Sequence, residues 1–206
     1  QAIGYDGSPA GYLQGTLFGL IGSLLVIMAA ATAGARAIAG EEEAGMLELL
    51  LAHPLSRTRL VLQRFAALTA TCAWLGLVVW AGTLAALRVA DLDVGVGPVT
   101  ATTAGLVLLA LGFGALALAA GALAAHRGPV LGVTAALAVG AYLAHTVGSQ
   151  VDALRPVQRL SPFWWYLGGD PLRTGLDPGH LALLAAVPLV LLGVALWSLN
   201  HRDVAV

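Results

Sequence analysis

Few residues in this chain have the types and spacing that catalysis requires. His145 and Ser149 lie one helical turn apart and are the nearest pair of a base and a nucleophile, as an intramembrane hydrolase would need. Their place at the end of an apolar run favours an interfacial, hydrogen-bonded histidine instead. All ten basic residues are arginine, so the phosphate-binding loop that needs a lysine is excluded. No His, Cys, Asp or Glu cluster has the spacing of metal ligands, so we expect no metal.

The acidic residues offer a different chemistry, which is the docking of basic groups. Glu41, Glu42 and Glu43 are consecutive, and negative charge suits the N-terminus of a helix. The sequence predicts an amphipathic helix over about residues 41–53 that lies on the membrane face and ends before Pro54. One face is apolar and holds Ala44, Leu47, Leu50 and Leu51. The opposite face is acidic and holds Glu41, Gly45 and Glu48. A docking surface and a solvated acidic loop both fit this charge.

The elements around this helix are predicted to cross a membrane. Of the 206 residues, 59% are hydrophobic and only 10% are charged, against about 25% charged in soluble domains. Five stretches approach the roughly 20 apolar residues that a transmembrane helix needs. They are Leu13–Ala35, Leu60–Leu87, Ala101–Ala124, Val130–Val147 and Leu181–Leu199. The chain is therefore predicted to be a single all-α integral membrane domain over residues 1–206. Its net charge of −1 argues against nucleic-acid binding.

The arginines predict the orientation. If the acidic helix is cytoplasmic, the alternating loops place six arginines inside, namely Arg36, Arg57, Arg59, Arg64, Arg127 and Arg202. Four then lie outside, namely Arg88, Arg155, Arg159 and Arg173. This bias follows the positive-inside rule and predicts a cytoplasmic C-terminus. With a cytoplasmic start, one further helix would precede Gln1.

Capping and turn residues predict where the connections between the apolar stretches begin and end. Ser56, after Pro54, is the predicted N-cap of the second span. Arg57 follows it in the first turn, where the helix dipole disfavours cations, so anionic lipid or an acidic partner must favour it there. The stretches Arg88–Thr100 and His126–Pro129 are predicted to be loops, and the second is short enough to make its two helices antiparallel neighbours.

A ridge of small residues follows the fourth stretch at every fourth position. It consists of Gly128, Gly132, Ala136, Gly140, Ala144 and Gly148. Small residues let helix backbones approach closely in lipid, so the ridge predicts a helix–helix contact, within the chain or with a second subunit. In so alanine-rich a chain, a chance run is the alternative.

The longest polar connection, about residues 148–179, contains an aromatic cluster. Phe163, Trp164, Trp165 and Tyr166 are consecutive, and aromatic rings of this kind gather at headgroup level. A short interfacial or re-entrant helix over the outer mouth fits, and so does a plain aromatic anchor.

Three segments resemble bacterial ABC-2 type transporter permeases. The segment GARAIAGEEEAGMLELLLAHPLSRTRLV (34–61) is similar to their signature between two membrane helices. The segments LSPFWWYLGGDPLRTGLD (160–177) and HRDVAV (201–206) match further along. The signature positions present here are Arg36, Ile38, Glu41, Glu42, Glu43, Gly45, Leu47, Glu48, Pro54, Ser56 and Arg57.

The resemblance implies a six-helix permease without its first helix in this chain, in the bacterial plasma membrane. It implies that Glu41–His53 is a coupling helix of this chain that docks on a separate ATP-hydrolysing subunit. The interface with that subunit would then include His53, Pro54, Ser56 and Arg57. ATP and Mg would belong to that subunit, with no cofactor in this chain, and a second permease half would complete the path. The implied function is ATP-driven export, with lipid around the protein.

Other kinds of membrane protein were weighed against this one. A carrier driven by protons or sodium usually holds acidic residues in the bilayer, and none of the five stretches has an Asp or Glu. An ATP-independent transporter or a membrane-embedded structural protein remains the alternative. The cargo is not specified by the sequence, although apolar walls suit a lipid or a hydrophobic drug.

Overall fold

The fold is a bundle of long helices. A computed structural model of the chain describes residues 18–40, 56–92, 94–124, 126–169, 171–175 and 177–201. The long helices are α1 (Leu20–Ala35), α2 (Arg57–Val89), α3 (Val96–Leu123), α4 (Arg127–Gly148) and α8 (Pro178–His201). Three short helices, α5 (Arg155–Leu160), α6 (Pro162–Leu167) and α7 (Pro171–Thr174), lie between α4 and α8. The described residues contain no strand, so the all-α prediction is confirmed.

Five helices are long and apolar enough to cross a membrane, and they correspond to the five predicted spans. Consecutive spans alternate in direction, which gives the bundle two ends. The tail end holds Gly40, Ser56, Ala124 and the last turn of α8. The aromatic end holds the α2–α3 turn and the short helices α5–α7.

Helix α3 is the centre of the bundle. In the most apolar part of α3, 67% of the residues are buried, whereas this share is 44% or less in each other candidate span. Helices α1, α2 and α8 all pack against it. In a membrane, neither the buried side nor the lipid-facing side of a helix requires polar residues, so α3 is mostly apolar.

Small residues bring α1 and α3 into backbone contact. A Cβ atom added to Gly34 would lie 2.1 Å from the carbonyl oxygen of Gly114, closer than any real side chain could stand. A Cβ added to Gly114 would in turn meet the carbonyl oxygen of Ala30 at 3.0 Å. In lipid, such close packing replaces the hydrophobic drive that holds soluble helices together.

Two further contacts fix α2 and α8 on α3. At the aromatic end, Trp80 Nε1 donates a hydrogen bond to Thr100 Oγ1 at 2.9 Å. At the tail end, Ser198 Oγ donates to the carbonyl oxygen of Ala122 at 3.4 Å. These polar contacts set the register of α2 and α8 along α3.

The predicted loops were too long because two prolines were read as loop residues. Helix α3 begins at Val96 and α4 at Arg127, so Pro98 and Pro129 both lie in a first helical turn. The N–H groups of a first turn have no partner in their own helix, so proline costs little there. The short connection between α3 and α4 was otherwise predicted correctly, since these two helices are packed neighbours.

Substituting Gly34 tests the α1–α3 contact. We expect Gly34→Ala to lower the free energy of unfolding by about 1–3 kcal/mol, because its methyl group overlaps the Gly114 carbonyl. Gly82→Ala is the matched control, since a Cβ there meets nothing within 4 Å and alanine favours the helix. SDS titration in mixed micelles measures both, and equal effects in the two variants would contradict the close contact.

Candidate functional site

Most of the predicted docking surface lies outside the described residues. This applies to Glu41, Glu42, Glu43, Gly45, Glu48, His53 and Pro54, and their role stays a prediction. The structure describes the two flanks of this acidic segment, which are the turn after α1 and the start of α2.

The flank on the α1 side is a widened helical turn packed on α3. Residues Arg36–Gly40 form a π-helical turn, a geometry that often marks functional positions. Ile38 and Ala39 in this turn are fully buried. A Cβ added to Gly121 of α3 would stand 3.4 Å from both the Cβ and the backbone nitrogen of Ala39. The chain therefore leaves α1 from a point held against the centre of the bundle.

The flank on the α2 side is a capped helix start. The Ser56 hydroxyl accepts a hydrogen bond from the Arg59 backbone N–H at 3.3 Å, so the predicted N-cap is confirmed. Helix α2 begins at Arg57, and Leu60 and Val61 are buried one turn later. Both flanks of the acidic segment are thus anchored to the bundle within a turn or two.

Positive charge surrounds these flanks. Arg36, Arg59 and Arg127 are exposed at the tail end. Exposed arginines at the end of a membrane bundle meet the phosphates of anionic lipid favourably. The three glutamates that follow Gly40 in the sequence therefore stand out against a basic surrounding.

At the aromatic end, one serine fastens α6 to the bundle. Ser161 Oγ accepts a hydrogen bond from the backbone N–H of Phe163 at 3.2 Å, and so caps α6. The same hydroxyl donates to the carbonyl oxygen of Ala141 on α4 at 2.7 Å. Nearby, Gln158 Nε2 donates to the carbonyl oxygen of His145 at 3.2 Å.

The four predicted aromatic residues do not act alike. Phe163 and Tyr166, three positions apart on α6, are fully buried. The Phe163 ring lies 6.2 Å from that of Phe113 and meets the Tyr142 ring edge-on at 5.4 Å. Phe163 therefore forms core between α3 and α4, and Tyr166 is buried beside it, which a plain aromatic anchor would not be.

Tyr166 also binds the backbone just before α1. Its hydroxyl donates a hydrogen bond to the carbonyl oxygen of Phe18 at 3.1 Å. Burial raises the pKa of Tyr166 well above its usual value, so the phenol keeps the proton that it donates.

The remaining two aromatic residues, Trp164 and Trp165, are half-buried. The Trp164 ring packs edge-on against His180 of α8 at 4.6 Å. Trp165 Nε1 donates to the carbonyl oxygen of Arg159 at 2.8 Å. Helix α6 therefore contacts α3, α4 and α8, and it is also bonded to Phe18, two residues before α1 begins.

Below α6 lies an apolar groove of about 440 Å³ between α3 and α8. Its walls are leucines and valines of these two helices with Gly112, Phe113 and Ala186, and Pro162 and Trp165 of α6 close its upper end. No polar surface lines it. The sequence did not reveal this α3–α8 groove, because its small residues, Gly112 and Ala186, come from helices far apart in the chain.

The predicted ridge on α4 has little use inside the chain. A Cβ added to Gly128, Gly132 or Gly140 would meet nothing within 4 Å, and Ala136 is exposed. Only Gly148 is packed tightly, since a Cβ there would stand 2.5 Å from Cβ of Gln158. Ala144 is half-buried. Most of the ridge therefore faces the surroundings of the bundle.

The geometry does not support a hydrolase at His145. Ser149 Oγ donates to the carbonyl oxygen of Thr146 at 2.6 Å rather than to the imidazole. The buried Nδ1 of His145 has no hydrogen-bond partner among the described residues, so the expectation of a hydrogen-bonded histidine is wrong for this nitrogen. Within the same residues, no group of His, Cys, Asp and Glu could hold a metal ion.

Comparison with protein families gives one match. The family described as "ABC-2 family transporter protein" covers residues 3–204, which is nearly the whole chain. The comparisons with curated proteins and with solved structures gave no match.

Removing the Tyr166 hydroxyl tests the bond between α6 and the backbone at Phe18. We expect Tyr166→Phe to lower the free energy of unfolding by about 1–3 kcal/mol, because the buried Phe18 carbonyl loses its donor. Tyr142→Phe, which keeps its ring against Phe163, is the control and should change stability less. SDS titration measures both variants, and a Tyr166→Phe variant as stable as wild type would show that the bond contributes nothing.

Proposed function

The chain belongs to the ABC-2 family of transporter proteins, and on that premise we propose that it is the permease of an ATP-driven exporter in a bacterial plasma membrane. The family match over residues 3–204 is the observation that supports this most strongly. The five apolar helices agree with it, since they make the chain a multi-pass membrane protein. ATP and Mg bind to a separate ATPase subunit, which matches the lack of lysine in this chain.

The acidic segment is the proposed docking surface for that ATPase. Glu41, Glu42, Glu43 and Glu48 supply charge that attracts basic groups and steers the partner into register. The arginines around this segment are exposed and attract anionic lipid. The glutamates repel anionic lipid and attract basic protein groups, so the segment favours a basic protein surface over lipid.

The anchored flanks explain how docking could drive transport. On the α1 side, Ile38 and Ala39 are buried against the bundle, and on the α2 side Ser56 caps a helix whose next turn is buried. A movement of the ATPase is therefore passed to α1 and α2 rather than absorbed by loose chain. Both helices contact α3, so tilting them changes how the bundle packs at its outer mouth. The tail end of the bundle is cytoplasmic in this proposal.

A second permease subunit is the proposed partner of the α4 ridge. The open positions Gly128, Gly132, Ala136 and Gly140 lie on one helical stripe and allow another helix to approach closely. Lipid covers the remaining apolar surface, and no nucleic acid is expected.

Neutralising the acidic segment tests the coupling. We expect the full-length protein with Glu41, Glu42 and Glu43 changed to Ala to lose co-purification with its ATPase, since the attraction for basic groups is gone. Changing the same three to Asp keeps the charge and should keep the complex. Asp91→Asn, at the other end of the bundle, is a second control. Co-elution that is unchanged in the alanine variant would contradict the docking role.

Bulky residues on the ridge test the second subunit. We expect Gly132→Leu combined with Gly140→Leu to raise the monomer fraction, because leucine keeps the partner helix at a distance. The pair Gly82→Leu and Gly193→Leu is the control, as both positions are equally open on other helices. Co-precipitation of two differently tagged copies measures association. A ridge variant that associates like wild type would rule out this contact between copies.

A further inference from the structure

Helix α8 has a proline in its interior. Pro188 lies near the middle of this helix, which runs from Pro178 to His201. Proline has no backbone N–H, so the Leu184 carbonyl lacks the donor that the fourth residue along supplies in an α-helix. Sharp bends in helices are found mostly at such positions. Pro188 therefore divides α8 into an aromatic half, residues 178–187, and a tail half, residues 189–201.

The tail half of α8 is fixed on the bundle. Pro188 itself is buried, and so are Ala195, Ser198 and Leu199 beyond it. Ser198 Oγ donates a hydrogen bond to the carbonyl oxygen of Ala122 on α3 at 3.4 Å. The tail half thus has both close packing and a polar contact that hold it in register with α3.

The aromatic half of α8 is packed less closely. Among residues 178–187, Leu184 alone is buried, and Leu183 beside it is 46% exposed. Asp177 Oδ1 accepts a hydrogen bond from the Gly179 backbone N–H at 2.7 Å, which caps the helix without binding it to another element. The ring contact between His180 and Trp164 joins this half to α6.

The α3–α8 groove runs past Pro188 in both directions. On α8 it extends from Leu183 to Leu191, and on α3 it extends from Leu108 to Leu116, near the middle of both spans. At its centre the two helices meet at a glycine, since a Cβ added to Gly112 would stand 3.5 Å from Cγ1 of Val187. The walls expose no polar surface, so the α8 wall can move across the groove without breaking a hydrogen bond.

We propose that α8 is hinged at Pro188, and that its aromatic half swings toward and away from α3. The part of the groove between Leu108 and Leu183 narrows and reopens in this motion. The part between Leu116 and Leu191 keeps its width, because the tail half stays fixed on α3. The hinge belongs to this chain alone and does not depend on an ATPase at the tail end.

Three pairs of cysteines across the groove test the hinge, because a disulfide forms only where two Cα atoms come within about 7 Å. Each full-length variant has Cys72 changed to Ala and is oxidised in native membranes with copper phenanthroline. The loss of thiols to PEG-maleimide measures disulfides within the chain, and non-reducing gels identify those between chains. The pairs are Leu108→Cys with Leu183→Cys, Gly112→Cys with Val187→Cys, and Leu116→Cys with Leu191→Cys, and all six positions line the groove.

The hinge predicts a different rate for each pair. The Gly112–Val187 pair should form its disulfide fastest, with or without Pro188→Ala, and it reports that the two helices are packed. The Leu108–Leu183 pair should react more slowly, and about fivefold more slowly still in Pro188→Ala, because the new N–H adds one hydrogen bond that favours the straight helix. Val194→Ala, an exposed change on the same helix, is the control and should leave this rate unchanged. The Leu116–Leu191 pair should be the slowest.

Two results would overturn the proposal. One is a Leu108–Leu183 rate that is the same with Pro188→Ala as with the proline. The other is a Leu116–Leu191 pair as reactive as the Leu108–Leu183 pair, since α8 would then move as one rigid rod. The second comparison needs no change at Pro188, so it decides the question even where Pro188→Ala disturbs the packing of α8.

Discussion

The structure depends on the backbone contact between α1 and α3. Because Gly34 has no side chain, α1 lies directly on the Gly114 carbonyl, and Ala39 reaches Gly121 two turns further on. That close approach buries the last turn of α1 and fixes where the acidic segment starts. A bulkier residue at the crossing would move α1 outward, and its flank would no longer be held by the centre of the bundle.

The two ends of the bundle are held together by different contacts. At the tail end, a π-helical turn with Ile38 and Ala39 buried and a capped helix start flank the acidic segment, as the proposed coupling to an ATPase requires. At the aromatic end, α6 packs Phe163 and Tyr166 into the core, contacts α3, α4 and α8, and is bonded to Phe18 just before α1. Helix α6 is therefore packed into the bundle at the end opposite to the proposed docking segment. In the proposed coupling, the ATPase moves α1 and α2 relative to this packed end.

The five spans could be predicted because lipid requires long apolar helices, a signal that survives in composition alone. The N-cap at Ser56 could also be predicted, because it depends only on a serine directly before a helix. The predicted loop boundaries were wrong at Pro98 and Pro129, because both prolines lie in the first turn of a helix. The α3–α8 groove and the division of the aromatic cluster could not be read, because each depends on contacts between residues distant in sequence, such as Phe163 with Phe113. The ridge was visible, but which side it faces depends on how α4 is rotated.

The proposed contact between the segment Glu41–His53 and an ATPase subunit is tested most directly by site-specific crosslinking in native membranes. One variant carries a single cysteine in place of Glu48, and a control variant carries a single cysteine in place of Asp91 at the other end of the bundle. Cys72 is changed to Ala in both. We expect a crosslink to the ATPase from position 48 and none from position 91. No adduct from position 48, with the ATPase present and the permease intact, would contradict it.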